Sequence, residues 1–93
     1  MATDPEALAQ LSRLLGEALP SATSRAEAQA AIERHFGRLV DGLVAESAAS
    51  DDVHDRESAF EFVDARLRDL AVWLNNDQSS RLRAAVRGTI EAW

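Results

Sequence analysis

Oxygen-donor side chains crowd one stretch of this 93-residue chain, residues 51–64. The carboxylates and the single imidazole of that stretch are Asp51, Asp52, His54, Asp55, Glu57, Glu61 and Asp64. Such clusters bind hard cations such as Ca²⁺ or Mg²⁺, so an acidic metal-binding protein is one hypothesis. The stretch lacks the central glycine and terminal glutamate of a calcium loop and the Glu-x-x-His pairing of helical carboxylate sites. The other interpretation is a helix N-terminus enriched in acids, with a solvated face.

A second candidate for chemistry is His35, which lies three residues before Arg38 in the stretch His35-Phe36-Gly37-Arg38-Leu39. This stretch resembles histidine phosphotransfer domains, which are helical bundles with a cation three residues after their histidine. The resemblance implies that His35 accepts a phosphoryl group and that Arg38 neutralises its charge. Those domains favour lysine followed by a small residue, whereas this chain has Arg38 followed by Leu39. The alternative is a boundary or surface histidine with a structural hydrogen bond.

Other arrangements that perform catalysis are missing from the sequence. The chain has no cysteine, which excludes thiol catalysis, disulfides and cysteine–zinc sites. No serine lies in a glycine-flanked elbow, and no glycine-rich phosphate loop is present. We therefore expect a protein that is not an enzyme, holds no metal or cofactor and shows no evident small-molecule substrate.

The aromatic residues offer a candidate interface. Phe62 and Trp73 fall on one line of a predicted helix, about 100° from its core stripe, with Arg66 and Asp69 between them. Trp93 ends the sequence given. Aromatic side chains together with arginine are the composition of a protein interface. The alternative is a wide core face that neighbouring helices cover within the monomer.

Two apolar stripes at heptad spacing determine which elements carry these residues. One comprises Ile32, Phe36, Leu39 and Leu43, and the other comprises Phe60, Val63, Leu67, Leu70 and Leu74. Only an α-helix places residues at such steps of three and four on one face. We predict an all-α fold, a small antiparallel bundle of four helices.

The expected helices span about residues 5–19, 25–49, 53–74 and 77–92, within a single domain 1–93. A chain of this length is typical of one domain and buries a modest core. The second helix has the broadest apolar arc and is predicted to be central. A three-helix core with a loosely docked first helix is the alternative.

Helix ends are marked by capping residues and by proline. Thr3 or Asp4 can cap the first helix, and Pro20 should stop it. Ser24 with Glu27 forms a capping box for the second helix. Asn75 with Gln78, or Asn76 alone, can cap the last one.

Two glycines, Gly37 and Gly42, lie inside the predicted second helix, where glycine is unfavourable by about 0.5–1 kcal/mol relative to alanine. Close approach of a neighbouring helix is the first explanation. A kink near residue 37, or a helix divided in two, is the alternative.

The net charge of −6 argues against non-specific binding to nucleic acid and to anionic membranes. Residues 1–64 carry thirteen acids against five arginines, whereas residues 65–93 carry five arginines against three acids. The two halves can complement each other within one fold or between subunits. No signal peptide or membrane span is evident in the sequence, so a cytoplasmic location is the expectation.

These observations favour a non-catalytic protein-interaction module, a small acidic adaptor or regulator that forms a homodimer. Phe62, Arg66, Asp69, Trp73 and Trp93 are its candidate interface. The alternatives are the phosphotransfer-like module and the acidic metal-binding protein described above.

Overall fold

The computed structural model describes residues 5–20 and 22–92 and contains no strand in those ranges. Its helices are α1 (Pro5–Leu15), α2 (Arg25–Arg34), α3 (Phe36–Ala49), α4 (Arg56–Asp69) and α5 (Asn76–Glu91). A single 3₁₀ turn, Ala71–Trp73, lies between α4 and α5. The all-α prediction is confirmed, but these ranges hold five α-helices rather than four.

The central element is α3, which contacts each of the other four α-helices, while α2 also packs against the 3₁₀ turn. The prediction that Leu39 and Leu67 are deeply buried is confirmed, with exposed fractions of 0% and 3%. The core also includes long aliphatic side chains from every helix, among them Leu11, Leu15, Ile32, Leu43, Val63, Leu82 and Ile90.

The predicted helix 25–49 is divided at His35, whose backbone leaves the helical region at φ −120° and ψ 31°. A straight helix of that length would run about 36 Å, nearly the 38 Å length of the molecule. The break instead lets α2 cover the 3₁₀ turn while α3 occupies the centre of the bundle. The predicted close packing is found at only one of the two glycines. A Cβ on Gly42 would lie 2.8 Å from Cδ2 of Leu14, whereas one on Gly37 would meet nothing within 4 Å.

The first helix ends at Leu15, four residues before the predicted end. The cause is Gly16, whose φ of 70° is left-handed and stops the helix. The amide of Glu17 donates to the carbonyl of Ser12 at 3.3 Å, which makes this end a Schellman motif. The prediction that Pro20 ends the first helix is therefore wrong. The predicted capping residues Thr3 and Asp4 lie outside the described residues.

The predicted helix 53–74 is also shorter, because Asp55 caps α4 and the 3₁₀ turn follows Asp69. Side chains three apart lie on one side of a 3₁₀ turn. That geometry buries both Leu70 and Trp73, which are 0% and 1% exposed.

Both predicted N-caps stand at their expected positions, although only Asn75 with Gln78 forms a full capping box and Ser24 caps α2 through its side chain alone. The amide of Glu27 donates to Ser24 Oγ at 3.1 Å, and the amide of Gln78 donates to Asn75 Oδ1 at 2.7 Å. The last helix accordingly matches its prediction within one residue. None of the described helices is both long enough and apolar enough to cross a bilayer.

Candidate interaction surfaces

His35 lies at the junction between α2 and α3, and its partner is Glu17. Its Nε2 is 3.1 Å from one carboxylate oxygen of Glu17, while Arg34 Nη2 donates to the other at 2.8 Å. The contacts with His35 first, and with Arg34 second, hold the pKa of the Glu17 carboxyl below its ordinary value. The segment after α1 is thereby fastened to the helix break.

Arg38 does not complete a phosphate site in this arrangement. Its Nη1 is directed at the carbonyl of Leu15, 3.5 Å away, and its side chain covers Gly16. A cation in this position stabilises the negative end of α1. A phosphoryl group on Nε2 of His35 would face the Glu17 carboxylate, so the geometry favours the structural role of His35. No sequence pattern marks Glu17, because it lies in an irregular connection.

On the candidate line along one side of α4, Phe62 and Arg66 are half-exposed and Asp69 is exposed. The Arg66 guanidinium lies 5.0 Å above the Phe62 ring and also contacts Glu46 at 3.5 Å and Asp69 at 3.6 Å. It borders a cavity of about 240 Å³ between α1 and α4. Carboxylates already compensate its charge, so this cation is engaged within the monomer.

The structure removes Trp73 from the predicted surface. The 3₁₀ turn carries its indole into the core, where it packs beside α2. This matches the alternative of a wide core face covered within the monomer. Trp93 lies outside the described residues. Among the large hydrophobic side chains of the described ranges, only Val72 is exposed, at 42%.

Each of the three phenylalanines in the chain carries a guanidinium over its ring. Besides the Arg66 pair, Arg81 lies 4.9 Å from the ring of Phe36, and Arg87 lies 4.8 Å from that of Phe60. Stacking of this kind screens an aromatic face from water while keeping the charge solvated. The aromatic faces that suggested an interface are therefore covered by the chain itself.

The charge difference between the two halves of the sequence is used inside the fold. Asp64 of α4 lies 3.3 Å from Arg83 and 3.5 Å from Arg87 of α5. Glu33 of α2 accepts hydrogen bonds from Arg81 and from the buried amide of Gln78, the latter at 2.9 Å. The sequence predicted that the acidic and arginine-rich halves pair either within one fold or between subunits, and the pairing within one fold is present.

A different charge pattern surrounds the turn between α3 and α4. A groove of about 320 Å³ lies there, lined by Ala48, Val53, His54, Asp55 and Arg56. Four exposed carboxylates flank it in sequence and make no ion pair with any described residue: Asp51, Asp52, Glu57 and Glu61. We call the groove and these four carboxylates together the acidic groove.

The carboxylate of Asp55 within this groove is committed to the helix start. It accepts from the amide of Ser58 at 2.8 Å and from its hydroxyl at 2.9 Å, and these bonds lower the pKa of Asp55. No three histidine, aspartate or glutamate side chains of the described residues converge in a way that could hold a metal ion. The acids of 51–64 are thus spread along a turn and a helix face.

Comparison with protein-family models, with curated proteins and with solved structures finds no match to this chain.

Proposed function

We propose that this protein is a non-catalytic interaction module whose acidic groove binds a basic segment of a partner protein. The observation that carries the proposal is the contrast in pairing. Carboxylates such as Glu17, Glu33 and Asp64 have cationic partners within the fold, whereas those of the acidic groove have none among the described residues.

The unpaired carboxylates are unfavourable for the isolated fold. Glu57 and Glu61 are one helical turn apart on α4, where like charges repel. Asp51 and Asp52 are adjacent in the turn. A lysine or arginine of a partner would relieve this repulsion, which supports a basic ligand.

The lining of the groove supports an amphipathic ligand rather than a purely ionic one. Ala48 and the half-buried Val53 supply apolar surface, and the four carboxylates flank these lining residues in the sequence. A small apolar side chain of the partner would fill the groove, with cationic residues on either side. The net charge of −6 supports a protein partner over nucleic acid or an anionic membrane.

Self-association is part of the proposal, although two of the sequence features that suggested it are engaged within the chain's own fold. Trp73 is buried, and Asp64 pairs with Arg83 and Arg87 of its own chain. The limited core of a 93-residue chain still favours a dimer, which would make a small adaptor bivalent.

A peptide titration followed by NMR tests the groove. The probes are a lysine- and arginine-rich peptide with one central leucine, the same peptide with serine in place of leucine, and an acidic counterpart. We expect the first to bind most tightly, with shifts confined to residues 48–61. High salt should weaken this binding because the charges are exposed.

A matched pair of variants separates the groove from net charge. Asp51→Asn with Asp52→Asn removes two charges at the groove, and Asp41→Asn with Glu91→Gln removes two elsewhere. We expect the first pair to raise the Kd about tenfold and the second to change it by less than about twofold. Equal effects, or no binding by the leucine peptide, would overturn the proposal.

A further inference from the structure

One face of α4 has no neighbour in the fold and carries a graded pattern of charge. Glu57, Glu61 and Arg68 are exposed and Ala65 is half-exposed, at steps of four, four and three that place all four on one side of the helix. We call these four residues the outer stripe. The opposite side carries the buried residues Ala59, Val63 and Leu67.

The outer stripe is acidic at its N-terminal end and cationic at its C-terminal end. Neither its two glutamates nor Arg68 makes an ion pair with any described residue. The other arginines of α4 differ in this respect, because Arg66 contacts Glu46 and Asp69, and Arg56 also has an interaction partner. Arg68 is thus a cation left over at the end of an otherwise acidic stripe.

We infer that the outer stripe pairs with the outer stripe of a second copy of this chain, with the two α4 helices antiparallel. This inference rests on the self-association part of the proposed function. In such a pair Glu61 of each copy faces Arg68 of the other, because the two residues are about 10 Å apart along the axis and a two-fold axis midway between them exchanges their positions. Each attractive contact therefore occurs twice.

The residue nearest that two-fold axis is Ala65. Interaxial distances between packed helices depend on the side chains at the contact, and alanine allows the short end of the range. The exposed Val72 lies in the 3₁₀ turn that follows α4, so it offers apolar surface near the Arg68 end of the helix. A second copy of this chain therefore fits this face, because the outer stripe is acidic at one end and cationic at the other and complements itself when two copies are antiparallel.

Charge reversal and its rescue test the pairing. The dimer is measured by sedimentation of the full chain at tens of micromolar. Glu61→Arg and Arg68→Glu should each weaken dimerisation by at least about tenfold, because the two-fold axis turns two attractive contacts into two repulsive ones. The double variant should restore it. Asp41→Arg and Arg13→Glu, which reverse exposed charges on α3 and α1, should leave it within about twofold.

A cysteine at the axis gives an independent measurement that does not depend on charge. The chain has no cysteine, so Ala65→Cys introduces a unique thiol. Two such thiols near a two-fold axis can reach disulfide geometry. Mild oxidation should cross-link this variant much faster than Ala84→Cys on the exposed face of α5. Circular dichroism of every variant confirms that it folds.

The outcomes separate the two claims. A monomeric wild type would overturn both self-association and this pairing, while leaving the binding of basic peptides to be judged on its own titration. A dimer that withstands both single reversals and cross-links equally at both cysteines would retain self-association and overturn the outer stripe as its surface.

Discussion

The contact between α2 and α5 and the acidic groove place similar residues in opposite situations. At the first, Glu33, Gln78 and Arg81 satisfy one another, and the pKa of Glu33 is lowered mainly by its bond from Arg81. At the second, four carboxylates make no ion pair with any described residue, although Arg56 lines the groove. The first region stabilises the fold through these contacts, whereas the second is the region at which we propose that a partner binds.

The largest loss in the free energy of unfolding is expected in the core, and the losses in the two surface regions are compared with it. Replacing Leu39 with alanine should lower the free energy of unfolding by about 2–5 kcal/mol, because it leaves a cavity at the centre of α3. Urea melts measure this loss. The exposed Asp41→Asn on the same helix is the control, and a loss below about 1 kcal/mol for the leucine would contradict its place in the core.

The paired region should respond next. Arg87→Ala removes both the stacking on Phe60 and the ion pair with Asp64, which together should contribute about 0.5–1.5 kcal/mol to stability. Arg13→Ala, which removes an exposed cation without an ion pair among the described residues, should change stability much less. Equal losses in the two urea melts would erase the distinction between paired and unpaired arginines.

A pH series sharpens the comparison at the His35 junction. The pKa of Glu17 is lowered in the folded state from its ordinary value of 4.5, so its ionised form stabilises the fold above that value. Glu17→Gln should therefore have a lower Tm than wild type at pH 7, and the gap should close as the pH falls toward 3. Glu91→Gln, which removes an exposed carboxylate without an ion pair among the described residues, is the control. A gap that is constant with pH would contradict the Glu17 contacts.

His35 itself should have a small effect. His35→Ala is expected to leave a cooperative melt and unchanged binding of the basic peptide, because its contact with Glu17 is partly exposed and structural. Incubation with phosphoramidate, followed by mass spectrometry, should leave the wild type unmodified. Phosphorylation of the wild type and not of His35→Ala would restore the phosphotransfer hypothesis.

The smallest effect on stability is expected at the acidic groove. Asp51→Asn with Asp52→Asn should change the free energy of unfolding by less than about 0.5 kcal/mol, since exposed residues without partners contribute little. The same variant is the one that should lose peptide binding. A large loss of stability in its melt would show that these carboxylates serve the fold.

The sequence was sufficient for the features that depend on local periodicity. The apolar stripes located the buried faces of α3 and α4, and side chains such as Ser24 and Asn75 located helix starts, because a cap forms within about three residues. Gly16 carried a stop signal as well, but leucines at helical spacing continue past it at positions 8, 11, 15 and 19 and favoured a longer helix. Leu19 does pack on the core, from an irregular segment.

Other features depended on packing between distant segments. The division at His35 follows from the need of α2 to cover the 3₁₀ turn, and the burial of Trp73 follows from that same contact. The pairing of Glu17 with His35 joins residues 18 apart across an irregular loop. No spacing rule for one helix reports such contacts, so the surface expected from Phe62 and Trp73 was only partly present.

The arginine side chains stacked over Phe36, Phe60 and Phe62 restrict which substitutions the surface tolerates. A guanidinium is planar and can stack on a ring while its edge reaches a carboxylate, whereas an ammonium is a compact charge that must choose one of the two. The chain has ten cationic side chains and all of them are arginine. At Arg66, Arg81 and Arg87, exchange for lysine would expose an aromatic ring face to solvent. Arginine and lysine are usually regarded as interchangeable, but lysine at these positions would leave exposed apolar surface that favours non-specific association.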